Sequence, residues 1–451
     1  MSDRKAGSND TNPNPTFVGT TINNLTFYKN RLGILSQVNL ILTENGSFFN
    51  FFATTVTQTL DSDPIDIASS GTNVNTLRHA ITFNQTLLLF SDTDQFVLES
   101  SGDSPTPTTA VLNKTSSFDV EPNAGPVAAG KFIYFTQSRG NNTAVREYFA
   151  DNDTLTNDSL NVSVAVENLI PKNVFKTLAN STEDTLMFMS SETPDFLYIY
   201  KYFFDNNSKV QSAWSKWQFN NLVLLGGLSD ESVSYFIAND IDARAKLFKI
   251  DLRNIEDLNL DFSVSLDHKA RLTSGSYDST TNKTTFTVPY NYKADLYVVD
   301  AVTGVQCNID NYSLTDLVIE GNHTSILIGC KFDSSYKLSP QYIREEGANG
   351  STRSITSGRY QLRTISFDYE DTNYFTVEVD AVNRDTVTYE FSGNVIGVST
   401  IETPNLTGGT YSVPIQSENT AVDVTVKSDS YLPVKLISAE VEGFYHRRSR
   451  R

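Results

Sequence analysis

Aspartates spaced two residues apart recur along this chain, as Asp61/Asp63, Asp92/Asp94, Asp151/Asp153 and Asp240/Asp242. On a strand, residues i and i+2 share a face, so such a pair could hold a cation or, across a cleft, divide the acid and base roles of glycoside hydrolysis. Hydrolysis needs its two carboxyl groups about 5 to 9.5 Å apart. Most of these aspartates sit in turn-like segments, where Asp accepts hydrogen bonds from backbone amides, and turn chemistry is the better account of them. No sialidase-type Asp box accompanies them.

The four histidines, His79, His268, His323 and His446, are far apart, and none belongs to an HExxH-type metal pair. No phosphate-binding loop, G-x-S-x-G elbow or dinucleotide glycine pattern is present. The residues therefore assign no catalytic group, no metal ligand and no cofactor. Cys307 and Cys330 are too few for a disulfide-stapled secreted fold; two free, buried thiols are expected, with a bridge between them as the alternative.

Trp214 and Trp217, in SAWSKWQF, could form a sugar-binding platform. Three residues apart on a strand they face opposite ways, which suits one for the core and the other for a neighbour. HRRSRR, from His446 to Arg451, is the one notable basic cluster, and either meets phosphate or an acidic neighbour or is a solvated tail.

These residues must be carried by strands. Tyr and Phe are abundant, Trp and Met rare, and Thr, Ser, Asn and Asp are everywhere. That mixture suits half-buried strands and polar turns. At 451 residues the chain can bury more than one core. The formal charge of −18 is spread along it, which argues against a nucleic-acid reader, because such readers neutralise phosphates with Lys and Arg. A passive surface past which DNA slides is a different matter, since like charge helps there. Sequons such as Asn24, Asn45, Asn113, Asn161 and Asn282 are expected by chance in a chain so rich in Asn, Ser and Thr. No signal-peptide core and no 18-residue uncharged apolar run is present, so neither signal-directed export nor a membrane anchor is expected.

A strand–turn–strand form opens in the segment from Phe27 to Phe52 and returns at Thr86–Ser100, Lys131–Asp151, Thr185–Phe204 and Ser232–Asp251. From the second unit on, the starts are about 45 to 55 residues apart, the period of propeller blades. Each unit reads as an inner apolar strand, a polar turn and a second, alternating strand. A lone blade cannot bury both faces, so blades stack around an axis. A plain sandwich meander would show shorter, less regular spacing. Beyond Asp251 the spacing changes: LRNIEDLNLDF suggests a helical turn, REEGANGSTRSIT a surface loop, and GRYQLRTISFDYEDTNYFTVEVD a hairpin in a closing sandwich. The expected fold is all-β, a β-propeller-like domain followed by smaller β-sandwich or β-barrel domains, with boundaries near 255 and 345.

FYKNRLGILSQVNLILTENGSFFNFF resembles the signature of the tail nozzle proteins (tail tubular protein B) of short-tailed, T7-like bacteriophages. There an aromatic-Arg-Leu-Gly-Leu-Ser run is followed by a strand and a Phe-Asn-Phe-Phe close. DTNPNPTF, DSDPIDIA, LLLFSDTDQFVL, SAWSKWQF, GRYQLRTISFDYE and VEGFYHRRS match in the same order. The resemblance implies a structural, non-enzymatic virion protein at the tail tip, assembled in the bacterial cytoplasm. Six copies would form a ring below the tail adaptor (tail tubular protein A), beside the tail fibres and facing the host outer surface. The ring closes the tail until infection and then passes double-stranded genomic DNA without reading its sequence. Its domains would be blades over 1–255, a nozzle or tip domain over 256–345 and a C-terminal β-sandwich over 346–451.

The family supplies no catalytic or cofactor residues to carry over. Structural and interface candidates are Phe27, Tyr28, Arg31, Leu32, Phe48, Phe49, Phe51, Phe52, Trp214, Trp217, Arg447 and Arg448. In the family, DTNPNPTF follows a long N-terminal region, whereas here it begins at Asp10. A fragment, a divided gene and a shorter nozzle are the alternatives, and the first blades and part of the adaptor-docking surface are then missing from this chain. Two rival functions are a propeller-type protein that binds or hydrolyses host glycans, using pairs such as Asp92 and Asp94, and a host-surface adhesin.

Overall fold

The computed structural model describes residues 1–70, 75–83, 85–151, 156–205, 208–240, 244–253, 256–290, 292, 296–346, 352–394 and 404–447. The chain divides into two compact units, Met1–Arg253 and Asn254–Arg451. Among the described residues there is no α-helix; Val164–Val166 forms a single 3-10 turn.

Five small antiparallel sheets follow one another in the first unit. The first holds β1 (Ile22–Tyr28), β2 (Arg31–Ser36), β3 (Asn39–Leu42) and β4 (Ile65–Ala68); the second holds β5 (Leu77–Phe83), β6 (Thr86–Ser91), β7 (Gln95–Glu99) and β8 (Val111–Ser116). The third is built from β9 (Val127–Ala129), β10 (Phe132–Arg139), β11 (Asn142–Asp151) and β12 (Thr156–Asn161). The fourth takes β13 (Val174–Asn180), β14 (Thr185–Ser190), β15 (Phe196–Asp205) and β16 (Ser208–Gln218), and the fifth β17 (Leu222–Asp230), β18 (Val233–Asp240) and β19 (Ala245–Asp251). Every sheet is a meander in chain order. Its turns use residues that tolerate positive φ: Lys29 and Asn30 sit at φ 45° and 60° between β1 and β2, as a two-residue hairpin turn requires.

Alternating side chains of the middle strands explain why the sheets stack. Leu87 and Leu89 of β6 pack toward Leu35, Leu40 and Leu42 of the first sheet, while Leu88 and Phe90 pack toward Ile133 and Phe135 of the third. A strand buried on both faces needs a continuous apolar run, and TLLLFS and TLMFMS supply it. Tyr134 and Val145 meet Phe188, Tyr198 and Tyr200 between the third and fourth sheets; Met187 and Leu197 meet Leu224 and Phe236 between the fourth and fifth. The first strands of successive sheets touch in series, β1 to β5, β5 to β9, β9 to β13 and β13 to β17. This is a β-propeller-like stack.

The repeat read from sequence corresponds to the second and third strands of each sheet, not to its innermost pair. The innermost strand is the one before, and it is only partly apolar, as INNLTFY and LRHAITF show. Strand β1 uses asparagine amides to join its neighbour: Asn23 Nδ2 donates to the Leu77 carbonyl at 2.9 Å and Asn24 Nδ2 to the Arg78 carbonyl at 3.1 Å.

In the second unit, β20 (Asp267–Leu272), β21 (Ser276–Asp278), β22 (Lys283–Thr287), β23 (Leu296–Asp300), β24 (Ile309–Tyr312), β25 (Asp316–Glu320) and β26 (Ile326–Cys330) form two sheets, in the orders β20-β26-β23 and β21-β22-β25-β24. Phe286, Val298, Leu317, Ile319 and Ile328 fill the core between them. A second sandwich follows. One sheet joins β27 (Ser334–Lys337) to three strands further on; β28 (Arg344–Glu346) and β29 (Thr352–Ser354) form a separate small hairpin. The remaining strands are β30 (Gly358–Thr372), β31 (Tyr374–Ala381), β32 (Val387–Ser392), β33 (Thr407–Glu418), β34 (Val422–Ser428) and β35 (Lys435–Arg447). The facing sheets are β27-β34-β31-β32 and β33-β30-β35, around Phe367, Phe375, Val377 and Val413.

Three local expectations change. LRNIEDLNLDF forms turns and bends rather than a helix over its described residues. The segment expected as a surface loop, Arg344 to Thr356, contains the paired strands β28 and β29, with 347–351 outside the described residues. GRYQLRTISFDYEDTNYFTVEVD is not a hairpin: β30 and β31 lie in opposite sheets, because the chain turns a corner at Asp371, where φ is 46°, and each strand finds distant partners. One strand of this sandwich, β27, precedes residue 346.

Candidate functional site

The segment from Phe27 to Phe52 builds the first sheet and the loop that leaves it. Tyr28 is buried, and its hydroxyl donates to the Gln85 carbonyl at 2.9 Å, tying the first sheet to the second. Leu32 is half-buried. Phe51 and Phe52 are buried: Phe17 meets Phe51 edge-on at 5.0 Å, and the Arg4 guanidinium lies 5.0 Å from the Phe52 ring centre. Phe27 and Phe48 meet edge-on at 5.2 Å but stay exposed, and Phe49 is 69% exposed. The segment is thus half core and half surface.

Arg31 is 1% exposed. Its Nη1 donates to the Thr43 and Asp63 carbonyls, each at 2.7 Å, and Nη2 to the Asp61 carbonyl at 2.8 Å. Burial lowers its pKa, with Glu44 and Asp63 opposing that shift. The Asp63 carboxylate accepts from the Thr54 amide and hydroxyl at 3.1 Å each and from the Leu60 amide at 2.8 Å. Arg31 and Asp63 together fold the loop between β3 and β4 onto the sheet.

Trp214 and Trp217 lie on opposite faces of β16. Trp214 packs on Tyr200 at 4.6 Å and Phe188 at 5.9 Å, and its Nε1 donates to the Val162 carbonyl at 3.1 Å, while Trp217 is exposed. Beside Trp214 is a group that sequence reasoning missed. The Lys209 ammonium contacts the buried Glu147 carboxylate and is ringed by Phe132, Tyr200, Tyr202 and Phe204, all within 5.4–5.9 Å. Tyr134 donates to the same Glu147 oxygen at 2.7 Å; its own pKa is raised by burial and by Glu147. The alternation of tyrosines in FLYIYKYFF marks one side of this box, but nothing in the local pattern links it to Glu147, 62 residues from Lys209. Arg447 ends β35, opposite Gly358, and Arg448 lies outside the described residues.

The candidate chemistry is committed to structure. Asp92 pairs with Arg78 at 2.8 Å and Asp94 with Lys114 at 2.6 Å. Burial works to raise the Asp94 pKa, but hydrogen bonds from Lys114, Ser117 and Asn75 outweigh it and hold the carboxyl below its usual range. Asp61 gives a backbone carbonyl and Asp63 caps a turn. Asp240 lies 3.6 Å from Lys246; Asp153 and Asp242 lie outside the described residues.

Asp300, Cys307 and His323 assemble in the second unit without forming a nucleophilic triad. His323 Nδ1 is 2.6 Å from Asp300 and 3.9 Å from Cys307 Sγ, while Nε2 faces the Glu320 carbonyl at 2.9 Å. A triad needs one ring nitrogen for the nucleophile and the other for the acid; here a single nitrogen serves both. Burial pushes the Cys307 thiol up to about 12, away from the reactive thiolate. Cys307 is a free, buried thiol, and Cys330 is only partly buried. Among the described residues no group of three or more His, Cys, Asp or Glu could hold a metal ion.

Among solved structures, Hsv2 from Kluyveromyces lactis aligns with 68% of this chain and 99% of its own at 10% identity and a TM-score of 0.31. An exo-beta-1,3-galactanase from Phanerochaete chrysosporium aligns with 93% and 95% at 10% identity and a TM-score of 0.25. Likenesses this weak carry no argument about function. The sequence relation is stronger. The tail tubular protein gp12 of Escherichia phage T7 is 31% identical over an alignment of 470 positions that covers 99% of this chain and 58% of that protein. The chain thus spans somewhat over half the length of this curated relative. The family model described as bacteriophage nozzle protein matches residues 1–451. With that match along its whole length, the chain is a bacteriophage tail component and belongs to the bacteriophage nozzle protein family.

Proposed function

We propose that this chain forms, as six copies, a channel at the tail tip that is closed before infection and conducts genomic DNA during ejection. The observation that carries the reading is the family match over the whole chain. The stacked sheets support it: they give a rigid wall, and the ionisable groups best placed for catalysis are engaged in ion pairs and turns. The channel docks the tail adaptor on one side and the fibres around it, and its work involves no turnover. Within the chain, 1–255 supplies the propeller-like blades, 256–345 apart from β27 the tip, and β27 with 346–451 the closing sandwich.

Charge supports the same reading. The chain carries a net −18, and a lumen in which Asp and Glu exceed Lys and Arg would give passing phosphates no counter-charge to hold them. The deciding experiment is electron-microscope imaging of the purified protein, alone and with its adaptor, classified without imposed symmetry. Sixfold rings with an axial hole are the expected result; a uniform monomer in both samples would overturn the channel reading for this chain.

A further inference from the structure

Strands β1 and β5 and the segment that leads into β9 meet at one imidazole. His79, on β5, has its Nδ1 3.3 Å from Asn24 Nδ2 on β1, and its Nε2 3.0 Å from the Pro122 carbonyl, in the segment that leads into β9. Gly125 lies beside the ring, where a Cβ would stand 3.4 Å from Nδ1 in ordinary van der Waals contact.

The hydrogen-bond pattern decides the proton's place. Asn24 Oδ1 accepts from the Leu25 amide at 2.8 Å, so its Nδ2 is the group turned toward the Arg78 carbonyl and toward His79. An amide NH2 can only donate, so Nδ1 of His79 must accept. The Pro122 carbonyl can only accept, so Nε2 must carry the hydrogen. The neutral ring with its proton on Nε2 satisfies all three sheets; a second proton on Nδ1 would point an N–H at an N–H.

The charged groups that act on the ring are Arg78 and Asp92, which pair with each other, and Glu121, beside Pro122, turns instead to accept from Ser138. We propose that His79 is a pH-sensitive fastener, joining the first three sheets when neutral and losing its tie to the first when protonated. Burial, together with Arg78, lowers its pKa, against the hydrogen bond to Pro122 and the charge of Asp92. With the folded value depressed, the stabilisation is complete above the unfolded value and is lost as pH falls toward the folded one.

The test uses the intact chain labelled with 15N in its histidine rings. There are four histidines, and His79→Gln assigns the signal by its loss. The expected result is a neutral ring protonated on Nε2, with a midpoint below the ordinary 6.5. A proton on Nδ1, or a midpoint at or above that value, would overturn the proposal. Thermal unfolding gives an independent readout. Gln retains a donor for Pro122 but cannot titrate, so between about pH 7 and pH 5 the wild type should lose more thermal stability than His79→Gln. Parallel losses would also overturn it. If the variant does not fold, histidine-ring titration of the wild type decides alone, with assignment through Asn24→Ala.

Discussion

Arg31 Nη1 donates to the backbone carbonyl of Asp63 across 2.7 Å, joining β2 to the far end of a loop that leaves the first sheet after β3 and returns as β4. Two further carbonyls depend on the same guanidinium. Replacing Arg31 with Met keeps the aliphatic stem but leaves buried carbonyls without donors, each costing about 1–3 kcal/mol. Arg31→Met should therefore lower stability by about 3–5 kcal/mol. Arg31→Lys should recover only part of that, because an ammonium cannot span three carbonyls in a fixed fork. Denaturant titration with unchanged slope would measure both; a loss below about 1 kcal/mol for the Met variant would show that the loop is held by its apolar contacts.

Lys209 and Glu147 link the fourth sheet to the third inside an aromatic box. Lys209→Met leaves a buried carboxylate with only Tyr134 for support. Since the lysine keeps some solvent contact, a loss of about 2 kcal/mol is expected, less than for a fully buried pair. The double variant Lys209→Met/Glu147→Gln should regain much of it, because no uncompensated charge remains. Trp214 fluorescence follows unfolding at this junction, and strictly additive losses would mean the two residues do not act as a pair.

Asp267 carries a half-buried carboxyl whose pKa is raised by burial to about 6. A raised carboxylate destabilises the fold wherever it is ionised. Relative stability is greatest below the unfolded value near 3.8 and declines as pH rises through about 6. Asp267→Asn should thus stabilise the protein at pH 8 by up to about 3 kcal/mol, with the gain closing below pH 4. Melting curves across that range would show it, and an equal gain at every pH would assign the effect to packing instead.

Phe49 is exposed beside the edge-on pair of Phe27 and Phe48. If this surface packs against another copy, Phe49→Ser will reduce ring assembly while shifting monomer stability by no more than about 0.5 kcal/mol. Mass photometry gives the first quantity and thermal melting the second. Undiminished rings would remove Phe49 from the contact.

The all-β class, the blade period and the family were legible in the residues, because each rests on local pattern. TLLLFS and TLMFMS announce strands buried on both faces, and FYKNRLGILS announces a two-residue turn between strands. The innermost strands were not legible. INNLTFY and LRHAITF replace part of their apolar surface with asparagine and histidine, whose value depends on what faces them. The same holds for Arg31, a structural candidate whose role depends on the three carbonyls that surround it, and for Lys209, whose partner comes from another sheet. The hairpin expected after Gly358 became two strands of opposite sheets because alternation states which side chains share a face, not which strand lies beside it. Local sequence determined where strands and turns form and which faces are apolar; tertiary structure decided which polar groups are buried together, since hydrogen bonds and ion pairs need partners at fixed distance that only the packed sheets bring into reach.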